Sequence, residues 1–315
     1  MAMYAILFLW VLLFYFADAG VLKTRRGSRE VSGRIVNGTE ADMGQFPFLV
    51  SLRRTNERHF CSGTIIAKKW ILTAAHCMKD PQSPFGDNLA PSAIVVVAGE
   101  IVLKNSNRSN QKNKVVKIVV HPEFSDETYA NDIALLELEH SFMLKSVLVH
   151  KLTINREFVE PGTACRVAGW GYTNFTEKKL SPILLYVDVP LMNRSKCQEL
   201  MFSESTLPQG LMCAGYLEGG RDACEGDSGG GLVCNGALSG IVSAGYECAS
   251  PNLPGMYTDV KHFLPWIAKY VDEIPLLQED DLNKETVHLG LVYRLYKIVR
   301  DAFFLIDGLL YLLTS

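Results

Sequence analysis

Between residues 35 and about 272 the chain is cut into short runs of branched and aromatic residues bounded by Gly, Pro and Asn. They include FPFLVSL (46–52), WILTAA (70–75), AIVVVAG (93–99), VVKIVV (115–120), DIALLEL (132–138), ILLYVDV (183–189) and GIVSAG (240–245). Runs of this length with turn residues between them suit half-buried strands, and predict an all-β fold of antiparallel barrels or sandwiches. The final piece, HFLPWIAKYV (262–271), carries apolar residues at helical intervals and predicts one closing helix. No repeat at solenoid spacing interrupts this pattern. At 48% hydrophobic and 21% charged residues, disorder throughout is excluded. A net charge of −3 gives no support to a nucleic-acid binder driven by bulk charge. Gly-x-Gly-x-x-Gly and P-loop strings are absent, which argues against a nucleotide enzyme.

The flanks differ from the body. MAMYAILFLWVLLFYFADAG is a continuous apolar run ending in Ala17-Asp18-Ala19, which predicts a signal peptide over 1–19 and a secreted, extracellular protein. An uncleaved membrane anchor is the alternative, because no basic residue precedes the run. Residues 20–34 hold Lys23, Arg25, Arg26, Arg29 and Arg34 with few apolar residues, and predict an exposed, protease-accessible arm. Residues 273–315 open on Glu279, Asp280 and Asp281 and then become apolar. Arg294, Lys297 and Asp301 recur opposite Leu291, Leu295, Ile298, Val299 and Ala302, the spacing of an amphipathic helix. Its charges disfavour a membrane span. Packing on the body, peripheral membrane contact and partner docking are all open readings of this tail.

The eight cysteines at 61, 77, 165, 197, 213, 224, 234 and 248 follow the leader and form no Cys-x-x-Cys pair. An even count in that context implies disulfides and weakens zinc or redox readings. Eight cysteines allow 105 connectivities, and spacing does not choose among them. Asn37, Asn107, Asn174 and Asn193 each begin an Asn-x-Ser/Thr triplet, so each is a glycosylation candidate. No acidic loop with the oxygens calcium needs stands out, and no metal or other cofactor is expected.

Three strings carry the chemistry: Leu72-Thr73-Ala74-Ala75-His76-Cys77, Asn131-Asp132-Ile133-Ala134-Leu135-Leu136 and Gly226-Asp227-Ser228-Gly229-Gly230. A serine hydroxyl is a poor nucleophile unless a base takes its proton. Histidine, with an ordinary pKa near 6.5, suits that role, and a buried carboxylate can fix its tautomer. Together with Arg34-Ile35-Val36-Asn37-Gly38 upstream, these strings resemble the chymotrypsin–trypsin family of serine endopeptidases over residues 35 to about 272. The resemblance implies two six-stranded antiparallel β-barrels with a C-terminal helix, to which this chain adds its amphipathic tail. It implies Ser228 as nucleophile, His76 as general base and acid, and Asp132 as the orienting carboxylate. The backbone N–H groups of Gly226 and Ser228 would form the oxyanion hole.

The same resemblance sets Asp222 at the base of the specificity pocket, with Gly245 and Gly255 as its walls. A carboxylate there calls for Arg or Lys in the substrate before the cut. Arg34-Ile35 matches the zymogen bond; the new ammonium of Ile35 would pair with Asp227 and order the site. The activator would then be trypsin-like, and protein protease inhibitors would be further partners, with no nucleic acid among them. The implied bridges are Cys61–Cys77, Cys165–Cys234, Cys197–Cys213 and Cys224–Cys248. Four departures stand out: Ala244 where the family usually has Trp, Gly231 where it usually has Pro, and the acids Glu225 and Glu247 near the pocket mouth, which would either favour basic residues flanking the cut or stay solvated and nearly neutral in effect. The rival expectations are a catalytically silent protease-like binding protein and a membrane-tethered protease.

Overall fold

The computed structural model describes residues 37–103, 110–173 and 178–275. The expected signal peptide, the Arg34–Ile35 bond, the tail beyond Pro275 and the triplets at Asn107 and Asn174 lie outside the described residues. No helix among the described residues is long and apolar enough to cross a membrane.

Thirteen strands carry the described fold, and every pairing within the two sheets is antiparallel. In the N-terminal half, β2 (Leu49–Arg54), β3 (His59–Ala67), β4 (Trp70–Thr73), β5 (Ile94–Ala98), β6 (Gln111–Val120) and β7 (Ala134–Leu138) form a closed barrel in the order β2-β3-β4-β7-β6-β5. Closure bends the strands at register shifts after Leu52, Ile65 and Val115. Leu52, Ile65, Ile71, Leu72, Ile94, Leu135 and Leu136 are fully buried on these strands. Gly63 is required on β3, since a Cβ there would meet Ile71 Cγ2 at 2.6 Å.

The C-terminal half is a sheet of order β1-β9-β8-β11-β12-β13-β10, built from β1 (Thr39–Glu40), β8 (Ala164–Gly169), β9 (Leu185–Pro190), β10 (Leu211–Ala214), β11 (Gly231–Cys234), β12 (Ala237–Ala244) and β13 (Gly255–Asp259). A single antiparallel bridge between Leu191 and Ala214 joins the far edges. It turns six of these strands into the second ring that the sequence predicts, with the two-residue β1 laid outside against β9. Val167, Leu185, Val189, Leu232 and Tyr257 are its buried core.

The two halves share one apolar cluster, in which Ala168, Trp170, Leu238 and Ile241 pack with the first barrel. The closing helix is shorter than its periodicity predicts. Regular α geometry spans Leu264–Ile267, with Pro265 in its first turn, and the chain continues to Val271 in turns with mixed i→i+3 and i→i+4 hydrogen bonds. Trp266, Ile267 and Val271 still pack onto the shared cluster. The eight cysteines pair as Cys61–Cys77, Cys165–Cys234, Cys197–Cys213 and Cys224–Cys248.

Candidate active site

β4 ends at Thr73, and the chain tightens into a single 3-10 turn, His76–Met78, anchored by Cys77 to Cys61 on β3. This sets the imidazole of His76 at the rim of the first barrel. Asp132 precedes β7 and is fully buried. One of its carboxylate oxygens accepts the His76 backbone N–H at 2.8 Å, and the other accepts His76 Nδ1–H at 2.8 Å. Because a carboxylate only accepts, Nδ1 carries the proton and Nε2 is left as the basic nitrogen. Tyr129 packs edge-on to the imidazole at 5.8 Å between centroids.

The second half completes the grip on Asp132. Ser243, on β12, donates its hydroxyl to the same oxygen at 2.6 Å, and Thr258, on β13, donates to the Asp132 backbone carbonyl at 2.8 Å. Neither residue was visible in the sequence as functional. No local string marks either one, and only the strand register brings them to Asp132.

Ser228 sits in the turn between Cys224 and β11. Its carbonyl accepts from Ser62 N–H on β3 at 2.8 Å, while Gly229 N–H donates to Val242 on β12 at 2.8 Å. The turn is thus stitched to both halves, which brings Ser228 and His76 into one cleft of ≈ 2310 Å³. Their side chains form no hydrogen bond with each other, and His76 Nε2 lies 3.8 Å from Cys77 Sγ. Such bonds commonly tighten only around substrate. Gly229 adopts φ +79°, and a Cβ there would strike Thr73 Oγ1 at 2.1 Å.

The peptide before Gly226 is oriented by its carbonyl: Glu225 C=O accepts Tyr172 N–H at 2.7 Å. In a trans peptide the N–H points the opposite way, so Gly226 N–H aims away from Tyr172. The next carbonyl, that of Gly226, accepts from His59 Nε2 at 2.9 Å. His59 was another residue the sequence did not flag. Asp227 is wholly buried and accepts Gly171 N–H at 2.7 Å and Cys224 N–H at 2.9 Å. Burial pushes its carboxyl up to about 6 despite these bonds. Gly169 and Gly171 wrap it, and a Cβ on either would overlap its oxygens. Its expected partner, Ile35, lies outside the described residues. Asn37, the first residue described, donates Nδ2–H to Gly220 C=O at 2.8 Å, two residues before Asp222.

Asp222 is 4% exposed and lines the cleft. It accepts Ala223 N–H at 2.8 Å and Ala249 N–H at 3.3 Å, and no cationic side chain among the described residues pairs with it. Burial, with Asp227 adding to it, pushes its carboxyl up to about 7. A Cβ on Gly255 would come within 2.7 Å of Asp222 Oδ1, whereas one on Gly245 would meet nothing within 4 Å. Gly255 therefore keeps the carboxylate accessible, and Gly245 faces open space. The Cys224–Cys248 bridge ties the two sides of this pocket together.

Of the departures, Glu225 is exposed and lines the cleft, while Glu247 accepts a hydrogen bond from Ser250 Oγ at 2.8 Å. Ala244 packs with Cys197, Met201 and Leu253 and leaves the cleft open toward Phe202. Gly231 has a local reason: a Cβ there would meet Leu238 Cδ1 and Thr64 Oγ1, each at 2.7 Å. The one cluster of metal-type donors among the described residues, Cys61, His76 and Cys77, has both sulfurs in a disulfide and so offers no thiolate.

Comparison with known proteins gives the same picture from a different direction. The Trypsin family model matches residues 35–267. Anionic trypsin of Canis lupus familiaris is 36% identical over 234 residues, covering 74% of this chain and 88% of its own. Trypsin of Sus scrofa is 36% identical over 238 residues, covering 76% and 96%, and Trypsin Tyr p 3.0101 of Tyrophagus putrescentiae is 37% identical over 257 residues, covering 80% and 85%. The paired rings, the His76–Asp132 couple at their junction and the match across most of the chain lead to one conclusion: this protein belongs to the trypsin family and is a serine endopeptidase.

Proposed function

We propose that the protein is a secreted endopeptidase, made as a zymogen, that cleaves peptide bonds after Arg or Lys. The observation that carries the specificity is Asp222: a buried carboxylate without a counter-ion among the described residues, on the wall of the cleft that Ser228 and His76 also line. A substrate guanidinium or ammonium supplies the missing charge, Arg in bidentate fashion and Lys as a point charge.

In this mechanism His76 Nε2 takes the Ser228 hydroxyl proton as Oγ attacks the carbonyl carbon. Gly226 and Ser228 N–H groups hold the resulting oxyanion, and Asp132 stabilises the imidazolium. His76 then protonates the leaving amine as the peptide C–N bond breaks, giving an acyl-enzyme. Water, deprotonated by His76, attacks the ester and releases the acid, returning the proton to Ser228. Cleavage at Arg34–Ile35 by a trypsin-like activator would free the Ile35 ammonium to pair with Asp227, whose buried carboxyl has no cationic partner among the described residues. Glycans at the Asn-x-Ser/Thr triplets, inhibition by protease-inhibitor proteins and peripheral membrane contact by residues 273–315 complete the reading.

Labelling with an organophosphonate tests it directly. Material cut after Arg34 is expected to label at Ser228 and to hydrolyse Arg- and Lys-ended peptides at least 100-fold faster than Leu- or Asp-ended ones, the scale of an unpaired buried charge. Arg34→Gln is expected to abolish both. Processed protein that resists the label would instead be a silent binding protein.

A further inference from the structure

We infer that Arg53 is a positioning residue for the oxyanion hole, acting through Ser51 and His59 on the Gly226 carbonyl; the inference rests on the catalytic reading above. Ser51 and Arg53 lie two apart on β2 and share the face opposite Leu52, and His59 stands opposite Arg53 on β3 at a register shift. All three are buried. Arg53 Nε–H donates to Ser51 Oγ at 3.0 Å, Ser51 Oγ lies 2.8 Å from His59 Nδ1, and His59 Nε2 lies 2.9 Å from the Gly226 carbonyl oxygen.

The direction of every proton in this row follows from its two ends. A guanidinium can only donate, so Ser51 Oγ accepts from Arg53, and its own buried hydrogen needs an acceptor, which a bare His59 Nδ1 provides. A carbonyl can only accept, so His59 Nε2 carries the proton. Neutral imidazole holds one N–H, and the two ends demand the same tautomer. Burial, reinforced by the nearby Arg53 charge, holds His59 down at about 4, so it is neutral through the working range.

A reversible donor in place of Arg53 would let Ser51 turn round and send its hydrogen the other way. His59 would then protonate Nδ1 and present a bare Nε2 to the lone pairs of Gly226 C=O. The peptide would be repelled where it is now held. Because Tyr172 pins the preceding carbonyl, Gly226 is fixed from both sides at φ +97°, and its N–H inherits that aim. The charge of Arg53 is balanced by the buried carboxylate of Glu100 and by Glu57 at 3.5 Å, which also holds Lys112 at 3.0 Å.

The test uses full-length protein processed at Arg34. Removing Arg53 alone would strand Glu100, so the informative changes are the double variant Arg53→Gln/Glu100→Leu, whose new amide can accept as well as donate, and the single variant Ser51→Ala, which keeps the ion pair. For each, kcat is expected to fall on the order of 10-fold, with KM within about twofold. That is less than the ~10²–10³ for outright loss of a donor. Affinity for a peptide aldehyde, whose tetrahedral adduct on Ser228 puts an oxygen in the hole, should fall by the same factor. Affinity for a simple arylamidine, which needs only Asp222, should not change. In the double variant, ¹⁵N NMR should report loss of the pure Nε2–H tautomer of His59. Unchanged kcat and aldehyde affinity would overturn the inference, as would parallel loss of aldehyde and arylamidine binding. Failure of the unaltered protein to label with organophosphonate would instead overturn the catalytic reading beneath it.

Discussion

The two halves of the molecule treat buried carboxylates in opposite ways. At the edge of the first barrel, Asp132 accepts from His76 N–H, His76 Nδ1–H and Ser243, and its backbone carbonyl accepts from Thr258. In the second half, Asp222 and Asp227 each accept two backbone N–H groups and are pushed up to about 7 and about 6 by burial. Backbone dipoles reduce the desolvation cost of a carboxylate but supply no net charge. Asp132 is therefore a finished part of a rigid frame, while the other two are half-sites that a cation from elsewhere would complete.

The comparison breaks most sharply at Asp132. Asp132→Asn removes the charge and reverses one donor, so the imidazole loses its required tautomer. The expected loss in kcat is about 10⁴-fold with the fold intact; that magnitude is the one established for the family's standard triad, not a consequence of these distances. Steady-state kinetics beside a thermal melt would check it. If Asn were tolerated, Asp132 would be no more essential than its counterparts across the molecule.

A smaller effect separates Asp222 from Asp132 by pH. A carboxyl whose pKa in the free protein is raised to about 7 must lose its proton before it can hold a cation. Affinity for an arylamidine should thus rise about 10-fold per pH unit between roughly 5 and 7 and level off above, a slope of one proton released. The sign is fixed: binding favours the ionised form, so it strengthens as pH rises. Calorimetric titration across that window would show it, and a flat profile would mean that Asp222 is already charged and the half-site description is wrong.

What the sequence made legible divides along the same line. His76, Asp132, Ser228 and Asp222 were legible through the resemblance of their local strings to those of the chymotrypsin–trypsin family. Ser243, Thr258, Ser51 and His59 were not, since each acts across a strand register that no local string encodes. The same limit applies to the fold. The apolar half of β6 (115–120) is plain in the sequence, but its first four residues, Gln111-Lys112-Asn113-Lys114, are polar and carry no strand signal, and only Asn113 among them is buried. The closing helix was overextended for a different reason. Its apolar spacing continues to Val271, but the hydrogen bonding after Ile267 mixes two helical patterns while the same side chains stay packed.

The finest test concerns how the second half supports Asp132. Ser243 and Thr258 are both buried hydroxyls about one hydrogen-bond length from the same residue, yet one meets the ionised carboxylate and the other a neutral carbonyl. A hydrogen bond to a charged group is typically worth ~1.5–3 kcal/mol and a neutral one about 1. Ser243→Ala should therefore lower kcat by roughly 10-fold or more, because the carboxylate that steadies the imidazolium loses one of its three donors. Thr258→Val keeps the carboxylate intact and should leave kcat within about threefold, while lowering thermal stability by ~1 kcal/mol. The pair isolates charge from packing, since both changes remove one buried hydroxyl from adjacent strands. Equal effects on kcat would mean that the strands hold Asp132 by position alone, and that the contrast between a satisfied carboxylate and the half-sites has no bearing on catalysis.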